Sequence, residues 1–342
     1  MASRALVLSG GGSKGAFELG AVDFLVNDRG LDFDVIAGVS TGSLNALVLA
    51  QGAGLRGLQA QVEELKKLWF GIRSANDVYR ERFLAKLLVL FAKDSLYSPN
   101  PLKAKVQAAV SLDRLRASGK RLRMGSVCLE TGDYRTAEET TLEIRDWALA
   151  SASIPVVFPP VRAGGQTMVD GGVRNLTPLQ DAFAALKVSG APASGGPDEM
   201  YVILASPLEI APDHTSLGSG LQIGKRALAI QMNEVFREDL DYALAINAAV
   251  RGYEDLQRQL GQRLGEEDAA RFLAPTCFPY RPPKFRFVRI WTIVPERELS
   301  EALEFKPEKI RAAFDGGRAS AKAPLSEEAL QRRLDDHAPR KP

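Results

Sequence analysis

The chain has 342 residues, a hydrophobic fraction of 45%, and 44 Lys and Arg against 42 Asp and Glu. That near balance of charge argues against nucleic-acid binding, and the apolar content is that of an ordinary globular protein. Two cysteines, Cys128 and Cys277, lie in apolar stretches and read as reduced core thiols, not as a disulfide framework.

Met1-Ala2-Ser3-Arg4 runs straight into a strand-like Ala5-Leu6-Val7-Leu8, so no signal peptide is expected. No apolar run reaches bilayer length, so the expectation is a cytoplasmic protein without a transmembrane helix. The first strand ends in Gly10-Gly11-Gly12-Ser13-Lys14-Gly15, and a helix follows with Phe17, Ala21, Phe24 and Leu25 on one face. A second strand over 34–38 makes a strand–helix–strand unit, which implies a parallel pair with a right-handed crossover. Next comes Gly38-Val39-Ser40-Thr41-Gly42 and a helix to about Ala50.

Residues 55–110 read as mostly helical, with Leu58, Val62, Leu65 and Trp69 in one stripe. Residues 83–91 are unusually apolar and flanked by Arg80, Arg82 and Lys93. They fit a core helix, or a basic-flanked amphipathic segment in peripheral contact with a membrane. Residues 122–129 and the region around Tyr134 predict a hairpin through Thr131-Gly132-Asp133. A short helix over 144–151 precedes a proline-rich apolar loop, and Met168-Val169 is a strand end running into Asp170-Gly171-Gly172. After a helix over 179–186, residues 189–198 read as a surface linker and Tyr201 opens a buried strand. A long helical stretch over 217–264 is expected to break near Gly252, and residues 285–294 alternate as a strand with one wetter face. The division that follows is one domain over 1–320 and a tail of weak helix or disorder over 321–342.

Two stretches carry chemistry. Glycines at both flanks of Ser40 allow strand and helix to pack closely and push the hydroxyl outward, at a helix start where free N–H groups favour negative charge. An ordinary strand-to-helix turn would use the same residue types. Gly10-x-Gly12-x-x-Gly15 also fits a dinucleotide loop, but that needs an acid at the end of the second strand, and Gly38-Val39-Ser40 stands there. No Gly-Lys-Ser/Thr follows to make a phosphate loop. Backbone N–H groups of Gly10, Gly11 and Gly12 fit better as an oxyanion hole beside Ser40, because both turns lie at carboxyl ends of neighbouring parallel strands.

The proton acceptor has three candidates. His214 would give a Ser40, Asp170, His214 triad, yet it sits in a polar loop and reads as a surface histidine; the other histidine, His337, is in the tail. Lys14, if solvated, is protonated at neutral pH. Asp170 stands at a strand end, where partial burial would strengthen it as a base, although Asp-Gly-Gly is equally a plain turn.

Taken together, SGGGSKG at 9–15, GVSTG at 38–42 and DGG at 170–172 resemble the patatin-like phospholipase family. ASASIPVVFPPV before the aspartate and Asn175-Leu176-Thr177-Pro178 after it extend the likeness over roughly 5–319. Lys14 stands where the family often has arginine, and Ser9 where many members have aspartate. The resemblance implies a three-layer α/β/α fold with a mainly parallel central sheet. It also implies a Ser40–Asp170 dyad without histidine, acting on lipid acyl esters with no metal and no cofactor. Gly15, Gly38, Gly42, Gly171, Gly172 and Lys14 would support the motifs, and Lys14 would be the group to pair with a lipid phosphate. An acyltransferase using the same dyad and a nucleotide-binding regulator built on the glycine loop are the competing classes.

Overall fold

A computed structural model describes residues 2–82, 95–188, 197–209, 212, 218, 220–274 and 286–336. Its strands are β1 (Arg4–Leu8), β2 (Val35–Val39), β3 (Arg80–Glu81), β4 (Tyr97–Ser98), β5 (Arg121–Cys128), β6 (Tyr134–Glu138), β7 (Val161–Ala163), β8 (Gln166–Asp170), β9 (Asp198–Ile203) and β10 (Val288–Ile293). The central sheet has the order β10-β9-β1-β2-β5-β8-β7, with β6 also paired to β5. From β10 to β5 every neighbour is parallel; β6, β8 and β7 join antiparallel. Strands β3 and β4 form a separate small hairpin.

The helices are α1 (Gly15–Asp23), α2 (Thr41–Leu49), α3 (Gly54–Phe70), α4 (Asn100–Ala109), α5 (Leu112–Ala117), α6 (Ile144–Ser151), α7 (Leu179–Val188), α8 (Gly220–Leu264), α9 (Glu266–Leu273), α10 (Pro307–Ser320) and α11 (Glu327–Asp336). Successive residues of β1 and β2 feed two different cores. Leu6, Leu8 and Ile36 pack with α1, α2, α3 and α10 on one face of the sheet, and Ala5, Val7, Val35 and Ala37 with α7 and α8 on the other. Period-two alternation therefore supplies both layers, and a strand covered on both faces must be apolar throughout. Each Leu, Ile or Val among them, fully buried, is worth roughly 1.5–3 kcal/mol. This is the mainly parallel α/β architecture expected from the sequence.

Two expectations change. Helix α8 runs through Gly252 without a break; the buried Val250 and Tyr253 on either side hold it, against a glycine penalty of only about 1 kcal/mol. The chain after Ser320 is also more ordered than its composition suggests. Leu325 exchanges two backbone hydrogen bonds with Thr292 (2.9 and 2.7 Å) and so covers the outer edge of β10. Helix α11 then seats Leu330 and Leu334 in the core, an apolar stripe only two residues wide and easily overlooked. The apolar segment 83–91, most of the 189–198 linker, Cys277, His214 and His337 lie outside the described residues. Cys128 is a buried free thiol. Among the described residues no helix is long and apolar enough to cross a membrane.

Candidate active site

Strands β1 and β2 are parallel neighbours, so the glycine loop after β1 and Ser40 after β2 emerge on the same rim of the sheet. Strand β5 brings the third piece. Its residues 123–125 pair with both β2 and β6, so those two strands occupy opposite edges of β5. Ser126 and Val127 pair with both β6 and β8, so β8 lies on the β2 edge. Strand β2 ends there with Val39 opposite Gly125, and β8, running the other way, ends with Asp170 opposite Ser126. Two strands thus meet nearly end to end on consecutive residues of β5. Ser40 and Asp170, 130 positions apart, are brought together by that register.

The turn at Ser40 is strained. Its φ of 55° and ψ of −128° are values that a residue with a side chain rarely adopts. The flanking glycines make the pinch possible: a Cβ at Gly38 would strike the backbone of Gly42 and Ser43, and one at Gly42 the carbonyls of Leu8 and Ser9. Hydrogen bonds then fix the turn. The Ser40 N–H donates to Ser151 Oγ (3.0 Å), and its carbonyl accepts from the N–H (3.0 Å) and hydroxyl (2.6 Å) of Ser43. Both backbone groups are occupied, and the side chain is left to do chemistry.

Asp170 is 2% exposed. Its N–H donates to the Ser153 carbonyl (3.0 Å), and its Oδ1 accepts from the Gly172 N–H (2.7 Å). The other oxygen, Oδ2, is buried and receives no hydrogen bond of good geometry. Burial is the dominant influence and pushes the Asp170 pKa up to about 7; the Ser40 hydroxyl and the Gly172 N–H pull in the opposite direction. The Ser40 hydroxyl is therefore near enough to favour the ionised carboxylate. A solvated aspartate would be too weak a base, whereas this one titrates near neutrality.

The glycine loop corrects two expectations. Gly10 lies against the serine, such that a Cβ there would sit 3.0 Å from Ser40 Cβ, but its N–H already donates to the Leu176 carbonyl (3.1 Å). It is not available to an oxyanion. Among the described residues the Gly11 and Gly12 N–H groups have no such partner, and Gly12 adopts a φ of 60°. Lys14 is not poised for a phosphate either: its Nζ is paired with Glu298 and donates to Ser206 Oγ (3.0 Å). Gly15 leaves room for the Thr41 side chain, and Gly171 lets its backbone approach the Gly125 carbonyl; a Cβ would fit at neither.

A cavity of about 110 Å³ opens beside Ser40 and Gly12. Its walls are apolar side chains of α2, α3 and α4, such as Val48, Trp69 and Val106, joined by Phe158 and Phe305. Few polar groups reach it, among them Asn45 and Lys105. Asn45 is already fully engaged. It donates to Glu18 Oε2 (2.9 Å) and the Gly15 carbonyl (3.1 Å), and it accepts from Trp69 Nε1 (3.0 Å). Burial raises the Glu18 pKa well above the usual carboxylate range, against the smaller opposing pull of the Asn45 hydrogen bond. Such a cavity suits a hydrocarbon chain.

Sequence reasoning singled out Ser40 and Asp170, and the structure brings them together. It passed over Ser151 and Ser153, although both stand in the quoted ASASIP stretch, and it gave no part to residues 298–305, which reach the glycine loop. Among the described residues no group of three or more His, Cys, Asp and Glu is placed to hold a metal ion.

Comparison with known proteins supplies a family. A family model described as Patatin-like phospholipase matches residues 6–183. An uncharacterized protein of Bacillus subtilis, YqhO, is 28% identical over 197 residues, which cover 51% of this chain and 64% of that protein, slightly less than two thirds of its length. Among solved structures, VipD from Legionella pneumophila is 14% identical with a TM-score of 0.40, over 98% of this chain and 67% of that one. The type III effector ExoU of Pseudomonas aeruginosa is 14% identical with a TM-score of 0.36, over 97% of this chain and 53% of that one.

Proposed function

The chain belongs to the patatin-like phospholipase family, and on that premise we propose that it is a serine lipid acyl hydrolase working through a Ser40–Asp170 dyad. The observation that carries the reading is the meeting of a strained serine and a buried aspartate, with the serine in the wall of an apolar cavity. The substrate is a carboxylic ester of a glycerophospholipid or related lipid, taken from a membrane or micelle surface with its acyl chain in the cavity.

Asp170 accepts the hydroxyl proton as Ser40 Oγ attacks the ester carbonyl. The Gly11 and Gly12 N–H groups hold the oxyanion that forms. On collapse of the tetrahedral intermediate the carbon–oxygen bond to the alcohol breaks, and the alcohol leaves with the proton from Asp170. Water then attacks the acyl-enzyme, giving its proton to Asp170, and the fatty acid departs as Ser40 recovers its hydrogen. Gly172 fixes one oxygen of Asp170 throughout, which leaves the other free to shuttle the proton.

Labelling with a fluorophosphonate followed by mass analysis tests the nucleophile without knowledge of the substrate. The expected result is a single adduct on Ser40, together with ester hydrolysis that disappears in Ser40→Ala and Asp170→Asn. Full activity in Asp170→Asn would overturn the dyad.

A further inference from the structure

We propose that residues 298–305, a strap in the connection between β10 and α10, hold the oxyanion loop in its working geometry and set the acyl-chain length that the cavity accepts. The inference rests on the acyl-hydrolase reading of Ser40. The strap lies wholly outside the residues that match the family model, 6–183.

The glycine loop cannot hold itself. Three consecutive glycines place no side chain in the core to fix them, and an oxyanion donor must be aimed to within a few tenths of an ångström. The residue directly after them is fixed by the strap. The Ser13 N–H donates to the Ala302 carbonyl (2.7 Å), and Ser13 Oγ donates to the Glu301 carbonyl (2.9 Å) and lies 3.1 Å from Ser300 Oγ. Gly12 packs so tightly on the Ala302 carbonyl that no Cβ would fit between them. Lys14 is latched to Glu298 by an ion pair. Gly12, Ser13 and Lys14 are thus each held by the strap, and the Gly12 N–H is aimed by those contacts.

The far end of the strap enters the cavity. Leu303 and Phe305 line it, the Leu303 carbonyl accepts from Tyr79 Oη (3.0 Å), and the Phe305 ring stacks on Trp69 with centroids 6.4 Å apart. Phe305 is buried, and its ring fills space that a longer chain could take. Ser13 and Glu298 are therefore positioning residues, and Phe305 determines specificity.

The test measures the rate of Ser40 labelling by a fluorophosphonate, together with kcat and KM on p-nitrophenyl esters of short, medium and long acyl chain. Ser13→Ala and Glu298→Gln are expected to lower both the labelling rate and kcat about tenfold, with KM unchanged. Their thermal midpoint should stay near that of the parent, and Ser13→Thr should restore the rate. Glu298 is half-exposed, so its variant folds even if loss of the Ser13 hydroxyl does not permit folding. Phe305→Ala is expected to raise kcat/KM for long chains relative to medium ones by about tenfold. Variants at Ser13 and Glu298 that label at the parental rate overturn the positioning role. A Phe305→Ala variant that changes every chain length by one common factor overturns the specificity role. A parent that labels at Ser40 but hydrolyses no ester refutes the acyl-hydrolase reading and leaves the labelling comparison to decide the strap. A parent that does not label refutes both.

Discussion

The two ends of the proposed dyad are held in unfavourable states of different physical kinds. Ser40 bears backbone strain, a positive φ imposed by the close packing of β2 on α2. Asp170 bears desolvation, a carboxyl buried at a strand end with one oxygen unpaired. Strain of this sort amounts to about 1–3 kcal/mol and does not depend on pH. The desolvation term grows as pH rises, because only the ionised carboxylate suffers from it. A serine needs only exposure of its hydroxyl at a fixed angle, which geometry alone can give. A base needs its proton affinity changed, and that takes a change of environment.

The largest expected effects are on turnover. Ser40→Ala and Asp170→Asn should each reduce kcat by more than about 10³-fold, and the double variant should lose hardly more than either alone, since the two groups act as a unit. Activities measured on one ester for all four proteins check this. Additive losses would show that Ser40 and Asp170 work separately.

Stability separates the two residues next. For Asp170 the folded-state pKa, about 7, lies above the ordinary value of 3.8, so the folded protein binds the proton more tightly than the unfolded one. Between those values the folded state loses stability as pH rises, and the loss levels off above about 7. Asp170→Asn removes this penalty. Its advantage in urea unfolding over the parent should grow by about 2–3 kcal/mol between pH 5 and pH 8. A constant difference across that range would mean that Asp170 is not desolvated in the folded protein.

The same value fixes the pH dependence of turnover. The base works only when ionised, so kcat/KM should rise with pH and bend at about 7, with roughly tenfold less activity at pH 6 than on the plateau. A profile bending near pH 4 would place Asp170 in a solvated setting and return the base to another group.

These differences also explain what was legible in the sequence. The elbow is local: five consecutive residues contain both the glycines that permit it and the serine that it presents, so Gly38 to Gly42 could be read directly. Strands β1 and β2 were legible for the same reason, being short apolar runs separated by one helix. The route of Asp170 to Ser40 was not, because it depends on β8 reversing direction and sharing an edge of β5 with β2, a register that no local pattern encodes. Nor was the occupation of the Gly10 N–H by Leu176 or of Lys14 by Glu298, since each partner is remote in the chain. Burial of Asp170 was expected in kind, but its extent follows from packing that only the assembled sheet provides.

The smallest effect tests the strain itself. Ser40→Ala and Ser40→Gly both lack the hydroxyl, and neither changes the charge of the site. They differ in that alanine keeps a Cβ at a φ of 55°, next to Gly10, whereas glycine adopts that backbone without strain. Glycine also gains freedom in the unfolded chain, which offsets part of the relief. Ser40→Gly should therefore be more stable than Ser40→Ala by about 1 kcal/mol, equally at pH 5 and pH 8. Urea unfolding of the two variants at both pH values decides it. If alanine is the more stable, the strain at the elbow is too small to matter. If the gap changes with pH, the backbone at position 40 was altering the surroundings of Asp170, and the two ends of the dyad are energetically coupled even without substrate and without the hydroxyl.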